Sequence, residues 1–348
     1  VFACFSSAAP LAADESYPRI SGEVAFEIEN DYVFEAEDSD AELNDLFATV
    51  EPSIRIEPVE HVAIVSGLVL EPVRDADDDR YFEDHGLYVE QLFLEYSDDW
   101  GRVFGGKFNP SFGVAWDLAP GIFGVDFAED YELTEQLGGG VALGFGNARN
   151  AYLGVVEVSA NIFLADRSLL SESVINGRGN LDLDEGGAGN TKGPGAFSLT
   201  LDGSDVAALP GLSYHLGLRF RAGGEDEDGD ESGLVFGLVQ AFEIDENQTF
   251  ELIGEAAYFS DFDAGEEEAV YVTLGGAYYL GNWNVAVVGA LRDTALGDSA
   301  VDTDHLAQVS AGYAFDFGLG FDLGYRYGRE ESNETHTLGA LTSYTLEF

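Results

Sequence analysis

The sequence predicts a transmembrane antiparallel β-barrel of about sixteen strands with short periplasmic turns and long external loops. Three observations carry this. Strand-sized stretches alternate apolar with polar or small residues along nearly the whole chain, the connections between them alternate between short and long, and the last strand ends on Phe348.

Alternation is clearest over 212–221. Leu212, Tyr214, Leu216, Leu218 and Phe220 fall on one face, and Ser213, His215, Gly217, Arg219 and Arg221 on the other. Near the end, Leu319, Phe321, Leu323, Tyr325 and Tyr327 alternate with Gly320, Asp322, Gly324, Arg326 and Gly328. A period of two over about ten residues is the pattern of a strand with lipid on one side and a lumen on the other. The same reading places strands near 20–29, 46–57, 61–72, 87–97, 101–109, 138–147, 150–165, 196–202, 212–222, 233–244, 249–260, 269–280, 283–293, 305–316, 319–329 and 335–348. Leu87–Tyr96 carries apolar residues on both faces.

Short connections include Pro58–Glu60, Ser97–Trp100, Gly146–Arg149, Asp245–Gln248, Gly281-Asn282 and Phe317-Gly318. The long ones are Asn30–Asp45, Val73–Gly86, Pro110–Leu137, Asp166–Gly195, Gly223–Ser232, Asp261–Glu268 and Thr294–Asp304. Gly203–Gly211 is longer than its class requires. Soluble sandwiches and propellers have no reason to sort loops by parity.

Composition supports the same class. The 43 glycines among 348 residues would each cost a helix about 1 kcal/mol, and no apolar run approaches the roughly 18–20 residues of a spanning helix. A balance of 66 acids against 15 bases, formally −51, excludes nucleic acid as a partner, since phosphate needs basic residues. A hydrophobic content of 45% excludes a disordered acidic chain.

Residues 1–13 read as a signal-peptide remnant, with Leu11-Ala12-Ala13 before Asp14, which leaves 14–348 as the barrel. The single cysteine, Cys4, falls in that remnant, so the mature chain is expected to lack thiols, as suits an envelope protein. Only Asp14–Arg19 precede the first strand, so no plug domain is expected. At the other end Tyr344, Leu346 and Phe348 share a face with Ala340 and Thr342. This pattern resembles the assembly signal read by the barrel-insertion machinery of outer membranes, a first expected partner.

Residues 87–137 contain Leu94-Glu95-Tyr96, Gly106-Lys107-Phe108-Asn109-Pro110 and Ala119-Pro120-Gly121-Ile122 in that order. The stretch resembles a group of proteobacterial outer-membrane barrels that includes LbtU-type siderophore porins. The resemblance implies a porin in the outer membrane of a Gram-negative bacterium, surrounded by lipid and lipopolysaccharide, with iron chelates as one substrate class. A homotrimer is left open.

The connection near 110–137 is expected to fold inward and narrow the lumen. With Lys107 at its root it supplies Asp117, Asp126, Glu129, Asp130 and Glu132 to a pore constriction, and Trp116, Phe123, Phe127 and Tyr131 to pack against the wall. An acidic ring concentrates cations; the alternative is a solvated external loop. Alternation turns Arg55, Arg219, Arg221, Arg292 and Arg326 to the lumen, because charge on the lipid face costs about 2–4 kcal/mol near mid-membrane. Facing the loop acids, they would set up a transverse field; paired with inward Glu23, Glu27, Glu51, Glu157, Glu251, Glu255 or Asp322, they would be structural bridges.

No cofactor is expected. The acid runs Asp75–Asp79, Asn180–Glu185 and Glu225–Glu231 are the places where Ca²⁺ or Mg²⁺ could gather, although none has EF-hand spacing. The five histidines are scattered, with no HExxH, CxxC or GxSxG pattern, so the chain reads as a non-enzyme. The functional expectation is passive diffusion of small solutes with a preference for cations. The alternatives are a ligand-selective channel for a siderophore and a non-transport barrel serving as adhesin or anchor.

Overall fold

The computed structural model describes residues 16–145, 153–179, 181–296 and 302–348. The strands are β1 (Arg19–Ala36), β2 (Asn44–Val59), β3 (Val62–Pro72), β4 (Arg80–Tyr81), β5 (His85–Asp98), β6 (Gly101–Phe108), β7 (Gln136–Phe145), β8 (Val155–Ala165), β9 (Ala196–Ser204), β10 (Leu212–Arg221), β11 (Glu231–Asp245), β12 (Gln248–Ser260), β13 (Glu267–Leu280), β14 (Trp283–Leu296), β15 (Asp302–Ala314), β16 (Leu319–Glu330) and β17 (Asn333–Glu347). Each of the sixteen long strands pairs antiparallel with its neighbours, and β17 pairs with β1, so the sheet closes on itself. The two-residue β4 lies in the β3–β5 connection, parallel to the top of β2. All sixteen strands read from the sequence are present.

Alternation sets the facing of every wall residue. On β10, Leu216 and Leu218 are 41% and 49% exposed, while His215 and Arg219 are 1% and 3% exposed. Phe26 and Ile28 on β1, Leu234 and Phe236 on β11, Val285 and Val287 on β14 and Leu323 on β16 are likewise exposed on the outside. An apolar belt of this extent is stable only against hydrocarbon. Aromatic rings gather at the tight-turn end: Trp283 meets Tyr313 at 4.8 Å, and Tyr313 meets Phe315 at 4.9 Å. Such girdles sit at membrane–water boundaries. Among the described residues no helix is long and apolar enough to cross a membrane.

The strict alternation of short and long loops does not hold. β1 and β2 continue past the expected break, pairing Asn30 with Leu46 and Tyr32 with Asn44, so that only 37–43 join them. β16 and β17 are joined by Glu331-Ser332 alone, both left-handed at φ 50° and 68°, the backbone that a two-residue hairpin demands. Polar residues pair in a ladder as well as apolar ones do, so a drop in hydrophobicity marks the edge of the belt rather than the end of the strand. Val1–Ala13 with Cys4, and the turn Gly146–Arg149, lie outside the described residues.

The seam explains the terminal aromatic. Gly22 and Phe348 exchange both backbone hydrogen bonds at 3.0 Å. A Cβ on Gly22 would lie 2.9 Å from the Phe348 ring and 2.3 Å from the Ser53 carbonyl. Leu346 and Phe348 face outward, and Tyr344 lies opposite Phe26. We expect deletion of Phe348, or Gly22→Val, to lower the yield of heat-modifiable barrel without altering the conductance of the barrels that do assemble. Normal yield from both variants would show that the seam closes without this contact.

The candidate functional site, a loop folded into the lumen

The connection 109–135 leaves the wall at the end of β6 and runs inside the barrel. Its root is clamped by Asn109, whose Nδ2 donates to Glu90 (2.9 Å) and whose Oδ1 accepts from the Glu135 N–H (2.9 Å). Two short helical turns, α1 (Ala115–Leu118) and α2 (Asp126–Glu129), interrupt it.

Aromatic burial drives the fold-in. Phe112 and Tyr131 of the loop pack against Phe259 and Tyr271 of the wall, with ring centroids 5.0–6.5 Å apart, and all four are essentially buried. Burial of a ring of this size stabilises by about 1.5–3 kcal/mol. The hydrophobic core of the molecule is therefore the joint between loop and wall. Lumen-facing glycines make the sockets. A Cβ on Gly237 would meet Val114 at 2.8 Å, one on Gly275 would meet Pro120 at 3.1 Å, and one on Gly339 would meet Phe123 at 2.5 Å.

Polar wall residues then satisfy the loop's backbone. Glu255 accepts from the Val114 and Ala115 N–H groups (2.7 and 3.1 Å) and from the Tyr131 hydroxyl (2.6 Å). His215 Nε2 accepts from the Gly113 N–H (3.0 Å), which leaves Nδ1–H to donate to Asp202 (2.7 Å). Gln308 donates to the Pro120 carbonyl (2.8 Å).

The expected transverse field is not formed, because the arginines pair directly. Arg326 forms an ion pair with Asp126 at 2.9 Å, and Arg292 bonds Asp130 (2.8 Å), Asp304 (2.6 Å) and Glu330 (3.2 Å). Arg219 lies between the Phe112 and Phe259 rings, 4.7 and 4.3 Å from their centroids, and donates to Glu231 and the Tyr131 carbonyl. Arg221 shares Glu231, and Arg55 pairs with Glu95 at 2.8 Å. Lys107 does not line the passage. Its ammonium is fully buried against Glu135 (2.7 Å), Asp166 (2.9 Å) and Ser171 (2.8 Å). Burial alone would raise the Asp166 carboxyl; the hydrogen bonds from Lys107, Ser171 and Ser168 outweigh it and hold the group below its usual range.

Lys107 sits at a junction created by the loop's departure. β6 pairs with β5 only from Leu92 to Asp98, so the upper edge of β5 has no partner there. The connection 166–195 covers that edge: the Val89 N–H donates to Leu170 (3.1 Å) and the Val174 N–H to Leu87 (2.9 Å).

What remains towards open lumen is acidic on both banks. Burial pushes the Glu132 carboxyl up to about 8, with Glu90, Glu129, Asp117 and Glu51 adding to it. Burial likewise pushes Glu129 up to about 7, reinforced by Glu71 and Asp130. Asp126 also rises to about 7 through burial, against the opposing pull of Arg326. A cavity of about 1130 Å³ lies beside these groups, with Asp31, Asp45, Glu71, Glu129, Arg80 and Arg178 in its lining.

The acid runs of the outer loops are engaged with backbone. Asp79 accepts from the Asn44 N–H (2.9 Å), Glu227 from Gly187 (2.6 Å) and Asp230 from Gly223 (2.9 Å), while Asp182 and Glu185 form a capping box. Among the described residues no three acid, His or Cys side chains converge as metal ligands; Asn180 is outside them. Sequence reasoning missed Glu90, the extra residue at a register shift between β3 and β5 that breaks the alternation, and Glu71 near the end of β3. Glu231, read only as the last member of the acid run Glu225–Glu231, is buried between Arg219 and Arg221.

This architecture recurs in solved structures. The outer membrane channel DcaP of Acinetobacter baumannii matches with a TM-score of 0.60 at 14% identity, covering 94% of this chain and 96% of that one. OccAB3 of the same organism matches at 0.57 and 9% identity, covering 94% and 99%. A loop-deletion mutant of OmpT, an outer membrane protein of Vibrio cholerae, matches at 0.56 and 12%, covering 95% and 99%. The chain has an outer-membrane-type barrel fold. At such identities the likeness establishes the fold alone. No protein-family model matches the chain, and no curated protein sequence does. The motifs that resemble LbtU-type porins lie at the end of β5, at the root of the inward loop and, as Ala119–Ile122, at the part of that loop seated in the glycine sockets.

Proposed function

We propose that this protein is a passive channel in the outer membrane of a Gram-negative bacterium, without enzymatic activity, and that it favours small cations. The observation that carries the reading is the charge on the open side of the inward loop. Glu129 and Glu132 lie in electrostatic range of Glu51, Glu71 and Glu90 of the wall, whereas Arg55, Arg219, Arg221, Arg292 and Arg326 are held in ion pairs. A narrow, low-dielectric passage with carboxylates on both banks raises cation concentration and repels anions. Reversal potentials of single channels in a KCl gradient test this. A cation-side potential is expected; a zero or anion-side potential overturns the preference, and absence of conductance steps would make the barrel an anchor or adhesin.

The cation preference is expected to depend on pH. A carboxyl raised to about 7 or 8 loses its charge as pH falls through that value. Preference should therefore be full above pH ~9.5 and decline through pH ~8 and ~7 towards pH ~6. A profile flat over that window would place selectivity in other groups.

The second reading, a ligand-selective channel for a siderophore, draws on the motif resemblance and on a cavity roomy enough for an organic chelate. Block of the current by a ferric chelate at micromolar concentration would favour it. The lipid and lipopolysaccharide environment, recognition of the terminal Phe348 by insertion machinery, and a homotrimeric state belong to the same proposal.

A further inference from the structure

The cations of the strands are almost all committed. Among the described residues, Arg19, Arg55, Arg80, Arg102, Lys107, Arg219, Arg221, Arg292 and Arg326 each make an ion pair within 4 Å, and Arg329 of β16 makes none. Arg329 also differs in direction. It pairs in register with His305 and Glu334, two residues beyond Tyr327 on the outward face that carries Leu323. It therefore stands at the loop end of the lipid-facing belt.

Its surroundings form a platform of rings. His336 stacks on Tyr325 (6.0 Å, 27°), bonds its hydroxyl through Nδ1 (2.7 Å), and lies 5.3 Å from Tyr327 and 6.0 Å from Phe34. His305 lies 5.7 Å from Tyr327. The neighbouring acid, Glu334, is engaged by the Tyr327 hydroxyl.

We propose that this outward patch, centred on Arg329 with His305 and His336, docks the phosphate of a membrane lipid headgroup at the loop end of the barrel. Two arguments select that occupant. The patch continues the apolar belt, with exposed Leu323 and Leu338 just below it, so acyl chains already lie against the wall at this point. It also presents, on the lipid side of the wall, a guanidinium that makes no ion pair within 4 Å among the described residues. Guanidinium is the group best matched to phosphate, and its cost on a barrel's lipid face falls to about 0–1 kcal/mol at the interface. Tyr and His rings flanking it sit at the depth where amphipathic rings prefer to lie.

The inference needs the barrel to be in a membrane but not to conduct, so it stands or falls apart from the channel reading. The test uses the purified full chain in detergent, titrated with bis-phosphorylated lipid A or with the same lipid dephosphorylated, and counts bound lipid by native mass spectrometry. Phosphorylated lipid A should bind the wild type about tenfold more tightly than the dephosphorylated form, and Arg329→Gln should abolish that difference. Arg329→Lys keeps the charge without the planar fork and should retain part of it, which also supplies a readout if the glutamine variant assembles poorly. Conductance should be unchanged in both. Equal binding of the two lipids by wild type, an undiminished difference in Arg329→Gln, or full displacement by millimolar inorganic phosphate overturns the proposal.

Discussion

Replacing Glu255 by Ala is expected to release the inward loop and raise single-channel conductance severalfold, with added current noise. Glu255 is buried and accepts three hydrogen bonds, two from peptide N–H groups at the start of α1 and one from Tyr131. Each hydrogen bond to such a group is worth about 1.5–3 kcal/mol, and truncation would leave the buried donors orphaned. The local loss is on the order of 5 kcal/mol, comparable to what aromatic packing of Phe112 and Tyr131 contributes. The barrel itself should survive, because the ladder of β12 with β11 and β13 does not depend on this side chain. Glu255→Gln keeps one acceptor but turns an amide towards the same N–H groups, so it should lie between wild type and Ala. Unchanged conductance with unchanged heat-modifiability would show that the glycine sockets and ion pairs hold the loop alone.

The second large effect concerns which loop acids set selectivity. Glu129→Gln with Glu132→Gln should move the reversal potential most of the way to zero at alkaline pH, less at neutral pH, and flatten its pH dependence. Asp126→Asn with Asp130→Asn should act differently. These two tie the loop to Arg326 and Arg292; without them Arg292 keeps Asp304 and Glu330, and Arg326 keeps Glu330, so the reversal potential should move little while the loop loosens. The same reversal-potential measurement checks both double variants. Equivalent behaviour of the two pairs would mean that net charge, and not the side of the loop a residue occupies, controls permeation.

Much of this molecule was legible in the chain itself. A barrel strand lies between lipid and lumen, so period two assigns facing locally, and Leu212–Arg221 declared both faces of β10 without any other information. For 110–137 the sequence left two courses open: Trp116, Phe123, Phe127 and Tyr131 signalled a need for cover, but a solvated external loop fitted the acids equally well. Loop parity was less reliable, because the belt's edge and the strand's end are different boundaries, as β1 and β17 show.

The sequence by itself determined the barrel, its strand number and which residues face in. Tertiary structure decided the charge partners. Arg326 and Asp126 are far apart in the chain, and nothing local says that they meet at 2.9 Å while Glu129, three residues on, is left beside Glu71. The physical reason is that facing follows from the backbone's own geometry, whereas pairing follows from where a loop docks. Docking was fixed by missing side chains, at Gly237, Gly275 and Gly339, on strands distant from the loop they receive.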